Sequence, residues 1–278
     1  MNKLDRAAAD LERFIKLCPG EKEGYYNRAR VALDRGDVEA ALEDFSHALE
    51  LDPDWVRIYF ARAIARDRFG DCEGANRDRE QGLRREPHDE ISWVVRGIAR
   101  ANDGDNEGAV ADYDQAILLN PRSFPAYQNK IYLLSVKRHD TAGALTVLDR
   151  MVEIFPDNLG IRADRGLHRA RLGLREGALD DAQAALDRNP TPTLFYKVAG
   201  LYAQTSLVEP SDRGQALGLL SRALRAGYGI DTLAKDHDLD PIRDDAEFQE
   251  LAASARSLHA ITNSRPATSP AKSKAQGR

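Results

Sequence analysis

The sequence has few of the residues that redox, metal-binding or membrane-spanning proteins depend on. Its 278 residues include two cysteines, two methionines and two tryptophans. Cys18 and Cys72 stand far apart, so the sequence predicts isolated thiols and argues against a disulfide or a metal site. No apolar run approaches the roughly 18 residues that a membrane span needs. The first residues are charged throughout, which argues against a signal peptide.

An excess of charge of one sign is also missing. Lysine and arginine number 40 against 45 acidic residues, and the net charge is −5. This balance disfavours nucleic acid and anionic membranes as partners. The six histidines are scattered, and phosphate-binding loops and nucleophile elbows are missing. The acidic cluster Asp236-His237-Asp238-Asp240 is interpreted as solvated loop charge. We therefore expect a cytoplasmic protein without enzymatic activity, cofactor or metal.

What the sequence has is a regular period. Prolines recur every 34 residues, with one step of 35, at Pro19, Pro53, Pro87, Pro121, Pro156 and Pro190. Twelve residues before these prolines lie Ala41, Ala75, Ala109, Ala144 and Ala178, and glycines recur at Gly36, Gly70, Gly104 and Gly173. Proline ends a helix, and small residues allow close helix packing. The period predicts an all-α, right-handed α-solenoid of tandem 34-residue helix–turn–helix units.

The pattern of aromatic, small and proline positions resembles the tetratricopeptide repeat family over residues 1–228. It divides the chain into a half repeat at 1–21, which caps the array or is a truncated unit, and six repeats at 22–55, 56–89, 90–123, 124–158, 159–192 and 193–228. Residues 229–260 form a divergent helical cap, with its last helix expected at about Asp245–Ala255. The final stretch, 261–278, is rich in Ser, Pro and basic residues and is predicted to be disordered.

The cap resembles the end-of-group segment of bacterial tetratricopeptide proteins, including serine/threonine kinases. The matching residues are Ala226-Gly227-Tyr228, then Asp238 to Arg243, and Phe248 with Leu251. This resemblance supports an alternative function: the chain is the regulatory part of a bacterial signalling enzyme whose catalytic domain is not in this sequence. The half repeat at Met1 supports it as well. A third hypothesis is self-association through the open N-terminal helix.

The family resemblance implies a protein-interaction scaffold whose concave face, lined by the first helix of each repeat, binds a peptide or helix of a partner protein. The predicted contact residues are Tyr26, Arg30, Arg57, Phe60, Ile64, Val94, Ile98, Gln128, Tyr132, Leu167, Arg171 and Lys197. Heat-shock chaperone tails are disfavoured as partners, because the Lys and Asn residues that grip them in other family members are replaced, for example by Tyr26, Ala61 and Ile91.

Arginine and aspartate co-occur at fixed positions of four repeats. The arginines are Arg28, Arg62, Arg96 and Arg165, and the aspartates are Asp44, Asp78, Asp112 and Asp181. A row of charge for a ligand is one interpretation; a structural ion-pair ladder between helices is the favoured one.

The fourth repeat breaks several rules together, with Lys130 and Val147 in place of the ion pair and Ile131 and Met151 at close-approach positions. Its turn, residues 137–140, lacks glycine. We expect a local change of curvature and a hinge there. The alternative is that Met151 fills the wider gap and the array continues smoothly.

Overall fold

The computed structural model of the protein describes residues 3–264, with side chains described through residue 257. All regular structure in this range is helical, which confirms the predicted all-α class of tandem helix pairs. The described chain forms two compact bodies, which meet in sequence between Asp140 and Thr141. None of the described helices has the length and apolar character that a membrane span requires.

The first body contains α1 (Lys3–Leu17), α2 (Lys22–Arg35), α3 (Val38–Leu51), α4 (Val56–Phe69), α5 (Cys72–Arg84), α6 (Glu90–Asn102), α7 (Asn106–Leu119) and α8 (Phe124–Tyr132), followed by a π-helical turn (Leu133–Lys137). The second body contains α9 (Thr141–Ile154), α10 (Leu159–Arg171), α11 (Arg175–Leu186), α12 (Pro192–Thr205), α13 (Asp212–Arg225), a 3-10 helix (His237–Ile242) and α14 (Ala246–Ser264).

The turns within repeats follow from their glycine–aspartate pairs. Gly36 ends α2 with φ at 83°, a left-handed conformation that glycine adopts without steric cost. Asp37 then caps α3, because its carboxylate accepts a hydrogen bond from the amide of Ala40. Asp71 and Asp105 cap α5 and α7 in the same way. The repeated turn chemistry therefore starts and stops the helices at nearly the same place in each of the first three repeats.

Small residues allow the two helices of a repeat to pack closely. Ala41, Ala75, Ala109 and Ala178 are fully buried, as are the large side chains of Phe45 and Tyr113 at the seams. A Cβ atom on Gly97 of α6 would lie 2.6 Å from the Tyr113 ring of α7. Any side chain at position 97 would therefore force the Tyr113 ring to move.

The fourth repeat departs from the others where its sequence does. The π-helical turn Leu133–Lys137 follows α8, and His139 takes the left-handed conformation with φ at 53°. In other repeats glycine occupies such a position, so here histidine carries the positive φ instead. Met151 of α9 is buried. The boundary between the two bodies falls directly after this turn, and the hinge itself stays a prediction.

The last helix is longer than the sequence indicated. It was expected to end at about Ala255, but α14 continues through Ser264. The loss of apolar periodicity suggested disorder from residue 261. However, the first residue that cannot continue a helix is Pro266, and the residue before a proline also disfavours helical geometry. The rest of the predicted disordered tail, residues 265–278, lies outside the described residues.

Candidate partner-binding site

The predicted arginine–aspartate pairs each join the two helices of one repeat. In the first repeat, Arg28 Nε and Nη2 lie 2.8 and 2.7 Å from the two carboxylate oxygens of Asp44. The same two-point geometry occurs in the pairs Arg62–Asp78, Arg96–Asp112 and Arg165–Asp181. Hydrogen bonding to the carboxylate raises the pKa of Arg28 and of Arg165. Because the four aspartates are buried between helices, the geometry favours a structural role.

A second set of arginines, which the sequence analysis missed, reinforces three of these pairs. Arg66 Nη1 lies 3.3 Å from Asp78. Arg100 and Arg169 approach Asp112 and Asp181 to 2.8 and 2.9 Å. All three follow the first arginine by four residues, one helical turn later, and also donate to a backbone carbonyl of the facing helix. The i,i+4 spacing was the available signal, and the first repeat lacks it because Ala32 occupies that position.

The fourth repeat replaces the ladder pair with a different contact. Lys130 donates to Asp114 of α7, which belongs to the preceding repeat. Val147 is buried, so an aspartate there would have to be desolvated without the arginine that the other repeats supply.

Three apolar side chains at one position of successive repeats are exposed on the first body. Ile64 on α4, Ile98 on α6 and Tyr132 on α8 are 52%, 37% and 56% exposed. Arg30 of α2 occupies the same repeat position and is also exposed. We call these four residues the inner-face row. Gln128, one turn before Tyr132, is exposed as well, so five of the predicted contact residues are accessible here.

Three other predicted contact residues, Phe60, Val94 and Leu167, are buried and therefore lie outside the exposed row. Phe60 is buried, and its ring packs against Gly82 of α5, where an added Cβ atom would lie 2.8 Å away. Val94 is buried in a cluster with Ala116 and Ala126. Leu167 belongs to the core cluster of the second body. A helix places i and i+4 on one side, so spacing alone did not separate the buried edge from the exposed row.

A small cavity lies between α4 and α6. Its volume is about 250 Å³, and it is lined by Phe60, Ile64, Arg79, Val95, Ile98, Ala99, Asn102 and Asp103. Arg79 is held by Asp67, whereas Asn102 is an exposed residue. Of the lining residues, Phe60 is buried and Val95 half-buried, whereas the polar residues Asn102 and Asp103 are exposed.

A larger cavity of about 530 Å³ lies among α1, α2 and α3. Its lining includes Asp5, Arg28, Arg35 and Asp44. These charges already satisfy one another, since Arg28 pairs with Asp44 and Arg35 lies 3.4 Å from Asp5. We therefore place the candidate site on the inner-face row and not in this cavity.

Aromatic rings and guanidinium groups cluster at the start of the inner face. The Arg57 guanidinium carbon lies 4.1 Å from the centre of the Trp55 ring and 4.8 Å from that of Tyr26. Arg30 stacks on Tyr26 as well, at 5.8 Å. Neither arginine pairs with a carboxylate among the described residues, so both cations remain available to an anionic group. Trp55 was not in the predicted set; it stands two residues before Arg57 in the sequence and is buried in a core cluster of the first body.

On the second body, the chain's own C-terminal segment covers the face that we had predicted to bind a partner. We define this segment as residues 229–245. Its 3-10 helix packs on α12, and Arg171 of α10 donates two hydrogen bonds of 2.9 Å to Asp238. The Gln204 amide donates to the backbone carbonyl of Asp238 at 3.0 Å. Leu239 and Ile242 are buried in the same cluster as Leu167.

The other predicted residues of this face are also engaged. Lys197 Nζ lies 2.6 Å from Asp164 Oδ1 of the neighbouring helix α10. Asp238 is not the solvated loop residue that we predicted, because its carboxylate is shielded by α10 and α12, and this burial raises its pKa despite the Arg171 partner. Among the described residues, no three His, Cys, Asp or Glu side chains are arranged to hold a metal ion. Cys18 and Cys72 are free and exposed.

The sequence and the fold of the chain were compared with those of known proteins. Residues 1–54 and 60–127 match the family model described as tetratricopeptide repeat. No curated protein matches the chain in sequence. Solved structures are similar in fold. A human IFIT1 dimer with PPP-AAAA has a TM-score of 0.58 and 16% identity, and the match covers 94% of this chain and 65% of that chain.

Two further structures resemble the chain. The APC/C hetero-tetramer Cut9–Hcn1 has a TM-score of 0.51 and 14% identity, with coverage of 91% of this chain and 46% of that chain. YrrB, a repeat protein with an unusual peptide-binding site, has a TM-score of 0.47 and 21% identity, covering 68% and 96%. Identities this low establish the fold alone. Residues 1–54 and 60–127 therefore consist of tetratricopeptide repeats, and helix pairs of the same kind follow them in the second body.

Proposed function

We propose that this protein is a non-catalytic interaction scaffold and that it binds a peptide or helix of a partner protein on the first body. The contact surface consists of the inner-face row with Arg57 and Gln128. The observation that carries the proposal is the exposure of Ile64, Ile98 and Tyr132 at one position of three successive repeats. Exposed apolar groups in register, flanked by polar side chains, are typical of protein-interaction surfaces.

The charges on this surface indicate what the partner carries. Arg30 and Arg57 stack on aromatic rings and pair with no carboxylate among the described residues. Arginine and aromatic residues are enriched where binding energy concentrates. A partner segment with apolar anchors and at least one carboxylate near the α2 end therefore complements the surface.

The proposal is limited to the first body, since the C-terminal segment already covers the corresponding face of α10 and α12. The PPP-AAAA in the IFIT1 structure is a ligand of that protein. With a net charge of −5, this chain has no general attraction for a polyanion. The same surface would serve if the repeats regulate a signalling enzyme, as the resemblance of the C-terminal segment implies.

The test is an affinity purification with quantitative mass spectrometry. We compare the parent chain with a variant carrying Ile64→Ser, Ile98→Ser and Tyr132→Ser. The control variant carries Leu118→Ser and Leu119→Ser, because these leucines are equally exposed but lie on α7. We expect partner proteins that the control recovers and the inner-face variant loses, with unchanged circular dichroism. Equal recovery by all three folded proteins would contradict the proposal.

A further inference from the structure

The second body shows what kind of segment an inner face of this protein accepts. Asp238 of the C-terminal segment receives both hydrogen bonds of Arg171, at 2.9 Å each. The residue after it, Leu239, is fully buried, and Ile242 is 1% exposed. A short 3-10 helix thus uses one carboxylate as a polar anchor and two aliphatic side chains as apolar anchors.

The first body presents the same residue types at the same repeat positions. Ile64, Arg68 and Ile98 on α4 and α6 correspond to Leu167, Arg171 and Leu201 on α10 and α12, with one common offset along the sequence. We call the first three, with the cavity beside them, the α4–α6 groove. Ile64 and Ile98 are exposed, whereas both leucines of the second body are buried beneath the C-terminal segment and its cluster.

The guanidinium group of Arg68 in the α4–α6 groove is accessible to a ligand. Arg68 is exposed, and its hydrogen bond is a 3.5 Å contact with the Leu33 carbonyl, at the limit for such a bond. It pairs with no carboxylate in the described part of the chain. Asn102 lines the cavity, and its side-chain amide can donate to a backbone carbonyl of a bound segment, as Gln204 does in the second body.

We propose that the α4–α6 groove binds a short segment of a partner protein in which an aspartate is followed directly by leucine and, three residues later, by another aliphatic residue. This inference rests on the proposed function and specifies its partner. The aspartate pairs with Arg68, and one aliphatic side chain enters the cavity beside Phe60. A cavity of about 250 Å³ is smaller than the sites that hold drug-sized ligands, and it suits a single aliphatic group.

The chain's own segment does not serve as this ligand for a second copy. Leu239 and Ile242 are buried in their own body. Arg243 donates to the Leu233, Ala234 and Asp236 carbonyls, which holds the segment in its fold. Its release would expose these side chains to water and leave Arg171 without its carboxylate. Binding of a partner segment with the same residue pattern neither exposes Leu239 and Ile242 nor removes the carboxylate partner of Arg171.

The experiment measures fluorescence anisotropy with the full chain and a labelled synthetic peptide that copies residues 234–245. We expect saturable binding, weakened about tenfold or more by Arg68→Glu, because two like charges then face each other. A peptide carrying Asp238→Lys should bind Arg68→Glu better than it binds the parent chain. This charge-swap rescue identifies the contacting pair, which a change in overall charge does not.

Two matched controls accompany these variants. Arg77→Glu reverses an exposed charge on α5, and Leu118→Ser removes an exposed apolar side chain on α7; both should bind the peptide within about twofold of the parent, as expected for surface sites outside a contact. Ile98→Ser should also weaken peptide binding, because serine cannot make the apolar contact that Ile98 makes. Intact helical circular dichroism of each variant excludes unfolding as the cause.

Several results would overturn the inference. Absence of peptide binding, equal binding by Arg68→Glu and the parent, or failure of the charge-swap rescue would each do so. Light scattering that shows a dimer dissociated by Arg68→Glu would assign the groove to a second copy instead. If the peptide fails while the triple inner-face variant still loses its partners, the partner chemistry is wrong and the proposed function stands. If that variant keeps its partners, the proposed function fails.

Discussion

The Arg171 guanidinium and the Asp238 carboxylate form a two-point ion pair between residues 67 positions apart in the sequence. The pair fastens the C-terminal segment to α10, while Leu239 and Ile242 anchor it in the core cluster. Four residues separate Arg171 from Leu167 on α10, so one helix face supplies both the polar and the apolar contact.

Loss of this pair should loosen the C-terminal segment without unfolding the helices. We expect Arg171→Ala to lower the free energy of local opening of residues 229–245 by about 1.5–3 kcal/mol, the usual range for hydrogen bonds to a charged group. Hydrogen exchange with mass spectrometry measures this opening. Arg188→Ala, at an exposed arginine of the same body, should leave exchange unchanged. Equal protection in the two variants would contradict the anchoring role.

His168 should make the second body less stable in mild acid. Its Nδ1 donates to the Asp164 carbonyl at 2.8 Å. Burial lowers its pKa below the ordinary value of 6.5, against smaller opposing effects of Asp164 and Asp238. The folded state therefore binds a proton less readily than the unfolded chain, so stability is lost as pH falls below about 6.5.

Hydrogen exchange of the amides of α10 and α12 is measured at increasing urea concentration, at pH 7.5 and at pH 5.5. The quantity compared is the urea concentration at which half of the protection is lost. His168→Gln should reduce the difference between the two pH values. His88→Gln, at an exposed histidine of the first body, should not. A difference that survives His168→Gln unchanged would assign the pH dependence to another group.

Arg62→Ala should destabilise the first body through the ladder. Asp78 has only 4% of its side chain exposed, and the substitution leaves it with the longer 3.3 Å contact to Arg66. A buried charge that loses its main partner costs on the order of 3 kcal/mol. Urea unfolding followed by the fluorescence of Trp55 and Trp93 reports on this body. Arg77→Ala, at a surface pair, should cost well under about 1 kcal/mol, and equal effects would contradict a structural ladder.

The fourth repeat should exchange faster than its neighbours if it is a hinge. It combines a π-helical turn, a left-handed His139 and the sequence boundary between the two bodies. Hydrogen exchange across residues 90–192 compares 124–158 with the repeats on either side. We expect lower protection around residues 133–141. Protection equal to that of both neighbours would rule the hinge out and favour Met151 as a filler of the wider gap.

The sequence by itself determined the repeat period, the turns and the contacts between the two helices of a repeat. Proline and glycine act through their own backbone restrictions, so their 34-residue period predicts where helices start and stop without knowledge of the neighbours. The ladder followed from co-occurrence, since Arg28 with Asp44 and its counterparts stand 16 residues apart in each pair. These features depend only on residues within one repeat, and the same pattern of residues recurs in several repeats of the chain.

Only the tertiary structure decided which inner-face residues reach solvent. Phe60 and Ile64 lie one turn apart on α4, yet one fills the seam against Gly82 and the other is exposed. The covering of Leu167 and Arg171 depends on a segment that begins about two repeats later, and no period links that segment to α10. Whether a surface residue is buried depends on which segments from elsewhere in the chain pack on it. The sequence of a single repeat does not specify these long-range contacts.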